Sequence, residues 1–381
     1  MFCGKRKKGI IASFAMIWLM TGMVYAQPRL ENLRLLESEG VLGNSYQPLW
    51  SADGRKISFE KNLADSEEKD LYIAEISQEE ITVTKVNPMK TDSASFFKKT
   101  RSKRIFYDVS WSPKGSSKYA YTGSNGQENL DLFISGVGRV TDNMMADGQP
   151  AWAPNDKYIA FVSSRSGKGD IYVFDPYTLE LDQLEKNKVR LTNDSVSSSL
   201  FPTWSPDGKR LAYVSHFESN DDIYVLDQLT NPQRRDHRRL TQWESSEINP
   251  SWSPDGSLLA FYSDNGHTKE FSLFVVPADG SAAPVEVANE VVKNDRHGVV
   301  WSADSKQLIY SIDNPETFNP IYLVEVAAPH KKTQVKCETQ MNGDISVWHN
   351  KGQTKIAFIA QGEEGDREKR WLRVYIADLV Y

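Results

Sequence analysis

The chain has 381 residues, 39% of them apolar and 25% charged, a globular composition rather than a disordered one. Its net charge is −6, and without Lys5-Arg6-Lys7-Lys8 the remainder holds 41 basic against 51 acidic residues. That excludes a general nucleic-acid binder, which concentrates Lys and Arg, and a charge-driven hold on anionic lipid. Two cysteines, Cys3 and Cys337, cannot build a disulfide framework or a cysteine zinc site.

Residues 1–26 read as a secretory signal peptide: a basic start, an apolar run from Ile10 to Val24, then Val24-Tyr25-Ala26 ahead of Gln27. The apolar run is short of the roughly twenty residues that span a bilayer, so cleavage after Ala26 is expected, with no stable membrane insertion afterwards. Cys337 would then be the remaining thiol, expected as a small buried apolar residue.

Residues 27–381 carry one phrase seven times. Tryptophans stand at 50, 111, 152, 204, 252, 301 and 348, with spacings of 61, 41, 52, 48, 49 and 47 residues. Repeats of this length mark solenoids or propellers. Trp204-Ser205-Pro206-Asp207-Gly208 is echoed at Trp50, Trp111 and Trp252, with blurred copies after Trp152, Trp301 and Trp348. In such a phrase Pro presets a turn, Asp bonds the backbone just ahead, and Gly supplies a positive φ. A short run ending in an aromatic follows (Phe59, Tyr121, Phe161, Tyr213, Phe261, Tyr310, Phe358). A third anchor comes about a dozen residues on (Tyr72, Phe133, Tyr172, Tyr224, Phe274, Tyr322, Tyr375). Such runs, broken by Pro, Asp and Gly, read as strands joined by hairpins.

A fourth strand is written more weakly, as in Arg139-Val140-Thr141, Val189-Arg190-Leu191-Thr192, Arg238-Arg239-Leu240-Thr241 and Val285-Glu286-Val287. After Tyr375 only six residues remain, too few for a turn and a strand. Leu33-Arg34-Leu35-Leu36 offers the missing piece. The expectation is therefore all-β: a single seven-bladed β-propeller over 27–381, of four-stranded antiparallel blades, its ring closed by the N-terminal strand.

Pro-x-Trp-Ser-Pro-Asp-Gly, then Leu-Ala-aromatic, Asp-Ile-Tyr-Val and Arg-Leu-Thr resembles the repeat of TolB-like propellers, most fully over 202–241. TolB itself sets a six-bladed propeller behind an α/β domain, whereas about twenty residues precede the first blade here. The resemblance implies a periplasmic or secreted location in a two-membrane bacterium and a non-catalytic role as a protein-binding scaffold of the cell envelope. The expected partner is an envelope protein or peptide segment. Propellers of this kind also include metal-dependent oligogalacturonate lyases, so binding or cleavage of an acidic oligosaccharide is the alternative, with His297 and His349 as its histidines.

If each tryptophan ends an inner strand, residues three or four positions earlier lie near the channel mouth. These are Gln47, Asp108, Gln149, Phe201, Asn249, His297 and Asp344, with Tyr107 and Arg296 beside them. A funnel of amides, carboxylates and one imidazole suits a peptide or a sugar. No nucleophile elbow, paired-histidine zinc motif or phosphate loop occurs, so no catalytic residue, metal or cofactor is assigned. Two basic runs, Lys98–Arg104 and Arg234–Arg239, and the charged stretch Glu363–Arg370 read as solvated loops.

Overall fold

The computed structural model describes residues 27–36, 43–63, 68–86, 105–115, 117–124, 129–177, 188–227, 229, 236–264, 270–294, 297–313, 319–361 and 371–381. Residues 1–26, where a signal peptide is expected, and Lys98–Arg104, Arg234, Arg235, Arg296 and Glu363–Arg370 lie outside these residues.

Seven four-stranded antiparallel sheets form the blades of one ring, and the described residues contain no helix. The inner strands are Gly43–Trp50, Phe106–Trp111, Asp147–Trp152, Ser198–Trp204, Glu247–Trp252, Val300–Trp301 and Gln340–Asn350. In every blade the aromatic of the second strand faces that of the third in register, from Phe59–Tyr72 to Phe358–Tyr375. Their ring centroids lie 5.4 to 6.1 Å apart, close enough to add to the area they bury.

Tryptophan seals one blade to the one before it. The indole N–H groups of Trp204, Trp252 and Trp301 donate to the carbonyls of Ala151, Thr203 and Ser251 at 2.9, 3.1 and 3.2 Å, each on the preceding inner strand. Trp111 reaches Leu49 in the same way at 3.2 Å. Blade 7 departs from this pattern. Ile356 matches Leu308 of blade 6 in sequence context and pairs with Val347, so Val347, not Trp348, takes the tryptophan's place. Trp348 instead lies over Gly54 of blade 1 and donates to Ala52 O (3.0 Å). A Cβ on Gly54 would sit 2.3 Å from that ring, and its φ is +66°.

The fourth strand is pinned by the Arg-x-Thr phrase. Asp170, 1% exposed at the head of its strand, accepts from Thr192 Oγ1 (3.0 Å) and Arg190 Nη2 (2.6 Å), while Thr192 Oγ1 accepts the Ile171 N–H (2.9 Å). Asp222, Thr241 and Arg239 repeat this in blade 4, and Asp131, Thr141 and Arg139 in blade 2. Arg238 pairs with Asp227 (2.9 Å). The described end of the Arg234–Arg239 run is therefore blade structure, not only solvated charge.

Arg29–Leu35 joins Leu372–Val380 as the outermost strand of blade 7, paired from Arg29 with Val380 to Leu35 with Tyr375. Leu36, 2% exposed, packs with Ile57, Phe59 and Val374. This antiparallel seam closes the ring and covers an edge that would otherwise stay open. Cys337 is half-buried, its Sγ 2.7 Å from Thr339 Oγ1, so it is less enclosed than expected.

Candidate functional site

The two ends of the inner strands are built differently. At the lower end the Ser-x-Asp-Gly turn recurs. Ser51, Ser205, Ser253 and Ser302 donate to the carboxylates of Asp53, Asp207, Asp255 and Asp304 at 2.5 to 2.8 Å. These hydroxyl bonds hold the Asp255 and Asp304 carboxyls below the usual carboxylate range. Gly54, Gly208 and Gly256 take φ of +66° to +73° there, and Asp156 and Ser305 take the same place in the blurred copies at +62° and +63°. Blade 2 has Lys114 where the aspartate belongs, so Ser112 Oγ reaches across to Asp156 of blade 3 (2.9 Å).

At the upper end each of six inner strands bulges at one equivalent residue. Gln47, Asp108, Gln149, Phe201, Asn249 and Asp344 all have positive φ, between +43° and +56°. The pairing with the second strand slips at that point in all six. Proline follows in four of them (Pro48, Pro150, Pro202, Pro250), a residue that lacks the N–H a bulge would leave unpaired. A left-handed non-glycine residue costs on the order of 1 kcal/mol or more, and for Phe201 the conformation is a clear outlier.

Hydrogen bonds tie these residues to one another. Gln47 N–H donates to Asp344 Oδ2 (3.1 Å), Asp108 N–H to Glu60 Oε1 (3.3 Å), Gln149 N–H to Thr122 Oγ1 (3.1 Å), and Phe201 N–H to Gln149 Oε1 (2.7 Å). Glu60 thus does for Asp108 what Gln149 does for Phe201. The Gln47 side chain is left with a buried carbonyl oxygen that has no partner. In blade 6 the equivalent residue is Gly298, where a Cβ would stand 2.5 Å from Ser251 Cβ and 2.7 Å from Asn249 O. Asn294 fills the gap, accepting the Ile345 N–H (3.2 Å) and donating to Gly298 O (3.1 Å), while Asn249 Nδ2 donates to Asn294 O (2.7 Å).

The channel holds a cavity of about 280 Å³ lined by Asp108, Gln149, Phe201, Asn249 and His297 among the expected residues, together with Pro150, Pro202, Pro250 and the indoles of Trp152 and Trp204. Gln47 and Asp344 belong to the same ring, joined to each other rather than lining that cavity. Tyr107 precedes Asp108 on its strand, and its placement adds no cavity wall. His297 is one residue off the ring position that Gly298 holds. His349 sits at the lower end of its strand, Nδ1 against Thr354 Oγ1 and Nε2 against Trp301 O, both at 3.0 Å, so it bridges blades 6 and 7 away from the mouth. Among the described residues no group of three or more His, Cys, Asp or Glu is placed to hold a metal ion.

Glu60, Thr122 and Asn294 had no sequence signal as channel residues, whereas Gly298 stands three residues before Trp301, the step that marks the ring in the other blades.

The TolB beta propeller domain matches residues 176–347. The chain is a seven-bladed β-propeller, and that stretch of it resembles the TolB beta propeller domain. Its solved neighbours include an oligogalacturonate lyase from Vibrio parahaemolyticus (TM-score 0.56, 12% identity, 91% of this chain and 93% of that one). An oligogalacturonate lyase in complex with manganese gives TM-score 0.57 at 12% identity, over 92% of this chain and 97% of that one. A puromycin hydrolase gives 0.58 at 12% identity, over 84% of this chain and 50% of that one. At such identities the likeness is one of fold, and the same fold carries binding proteins and enzymes alike.

Proposed function

We propose that this propeller is an exported, non-catalytic scaffold of the bacterial cell envelope, and that it takes a polypeptide segment of another protein at the upper mouth of its channel. The observation that carries the reading is the ring of six positive-φ residues. Repeated backbone strain at one level of a channel points to function: six non-glycine residues carry the positive φ there, whereas the turns at the other end of the same strands give it to Gly54, Gly208 and Gly256 and to Asp156 and Ser305 in the blurred copies. The cavity mixes proline and aromatic faces with amides, an imidazole and a carboxylate, the combination that grips an extended peptide by packing and hydrogen bonds. Export rests on the sequence of residues 1–26, and no helix among the described residues is long and apolar enough to cross a membrane.

Affinity capture from envelope extracts tests this. The unmodified disc is expected to retain a protein that is lost with Gln149→Trp or Asn249→Trp, which fill the mouth, and kept with Tyr158→Ala on the lower turns. Capture that ignores the mouth variants overturns the proposal. Release of unsaturated sugar from oligogalacturonate would replace it with the lyase.

A further inference from the structure

Between the blade rims and the channel mouth runs an arc of five loops: 142–146, 164–169, 193–197, 217–220 and 242–246. Hydrogen bonds interlock them in that order. Ser164 N–H donates to Ala146 O (2.9 Å), Lys168 Nζ to Val196 O, and Asn220 Nδ2 to Trp243 O (3.0 Å), while Ser215 Oγ, on the strand that leads into the fourth loop, donates to Ser197 Oγ (3.0 Å). Ser199 N–H also reaches Gly169 O (2.7 Å), so the arc is joined to the inner strand that carries Phe201.

Large apolar side chains are turned outward along this arc. Met144 is 94% exposed, Val196 53%, Met145 49% and Phe217 46%. They stand in loops of three successive blades on the mouth face, where water gains nothing from them. Carboxylates alternate with them. The five loops hold Asp142, Asp194, Glu218 and Glu244 against Arg165 and Lys168. Arg165 is committed to Asp147 (3.1 Å) and to the face of Tyr172, and Asp142 to Arg139, which leaves Asp194, Glu218 and Glu244 as the acidic positions of the arc. Asp194 is kept ionised below the usual carboxylate range by the Val196 N–H and the Ser197 hydroxyl.

The geometry points to this arc as the outer half of the peptide site, fitted to a segment that carries lysine or arginine beside apolar residues. Exposed methionine and phenylalanine supply adaptable apolar contact. The interleaved carboxylates select a basic partner and repel an acidic one. The assignment rests on the mouth being the binding face and adds the chemistry of what binds there.

The test uses two fluorescein-labelled synthetic peptides of identical Leu, Phe, Gly and Ser content, one bearing lysines and the other glutamates, with binding to the whole protein followed by anisotropy. At low salt the lysine peptide binds about tenfold tighter than the glutamate peptide, and the gap narrows in high salt. Glu218→Lys with Glu244→Lys removes the preference. Met144→Ser with Phe217→Ser weakens the lysine peptide about tenfold with the thermal midpoint unchanged, since both side chains are exposed. Equal affinities, no saturable binding of the lysine peptide, or affinities untouched by both double variants overturn the assignment. If the Gln149→Trp and Asn249→Trp variants still abolish capture of the natural partner in that case, the error lies in the partner's chemistry and the mouth stands. If neither set matters, the mouth itself falls.

Discussion

Upper and lower ends of the same seven inner strands solve opposite problems. At the lower end Ser-x-Asp-Gly spends its polar groups on its own turn: the hydroxyl meets the carboxylate, the carboxylate meets the next N–H, and the glycine takes the positive φ. At the upper end that φ falls on glutamine, aspartate, asparagine and phenylalanine, the side chains differ from blade to blade, and the buried Gln47 carbonyl oxygen stays unmet. Repetition therefore marks what builds the ring, and variation marks the end where the proposed guest would bind. The loops above follow the same division, with apolar residues exposed on the mouth side of blades 2 to 4.

Substitutions should separate the two ends. Trp252→Ala removes a 7%-exposed indole, its bond to Thr203 O and the face under Arg210, 4.6 Å away. It is expected to lower the unfolding free energy by about 3–5 kcal/mol in denaturant titration. Binding by the folded fraction should be spared.

Glu247 comes next. Fully buried at the head of the blade 5 inner strand, it accepts from Ser245 (2.6 Å) and Ser263 (3.1 Å) through Oε1, while Oε2 has no partner. Burial pushes its carboxyl up to about 7 from an ordinary 4.5, and nearby Asp222 adds to the rise. The folded chain thus holds a proton that the unfolded chain releases. The stability contributed by Glu247 is complete below pH 4.5, falls as pH rises toward 7, and is level above that. Wild type minus Glu247→Gln should show that fall, on the order of 2 kcal/mol, and a flat difference would contradict it.

Thr192→Val strips the hydroxyl that serves both Asp170 and the Ile171 N–H. It should cost about 1–2 kcal/mol with peptide binding unchanged. The smallest effect runs the other way. Gln47→Gly removes a strained φ and an unmet buried acceptor, and should raise stability by about 1 kcal/mol while weakening the bound segment. A loss of stability there would erase the contrast between the two ends.

The ring was legible because its anchors recur. Seven aromatic pairs, the turn phrase and the Arg-x-Thr clamp each depend on residue types that a four-stranded blade needs at fixed steps. Leu33–Leu36 could be read as the closing strand from the shortage of chain after Tyr375. The register of blade 7 could not, because Trp348 imitates the repeat while Val347 occupies the place. The mouth was legible in position, since a bulge three residues before tryptophan is set by the same spacing. Its bonding was not. Glu60, Thr122 and Asn294 act on the ring from the second strand and a connector, and no sequence distance links them to their targets. His349 teaches a related point: it lies on an inner strand as expected, and proximity to that strand does not tell which end a residue reaches.

The most direct measurement replaces Phe201 with the photo-crosslinker p-benzoylphenylalanine and, in a second strain, Tyr158 on the lower turns. Irradiation of living cells should join another polypeptide to position 201 and not to position 158. A disc that crosslinks equally from both faces, or from the lower face alone, would contradict the assignment of the upper mouth as the binding site.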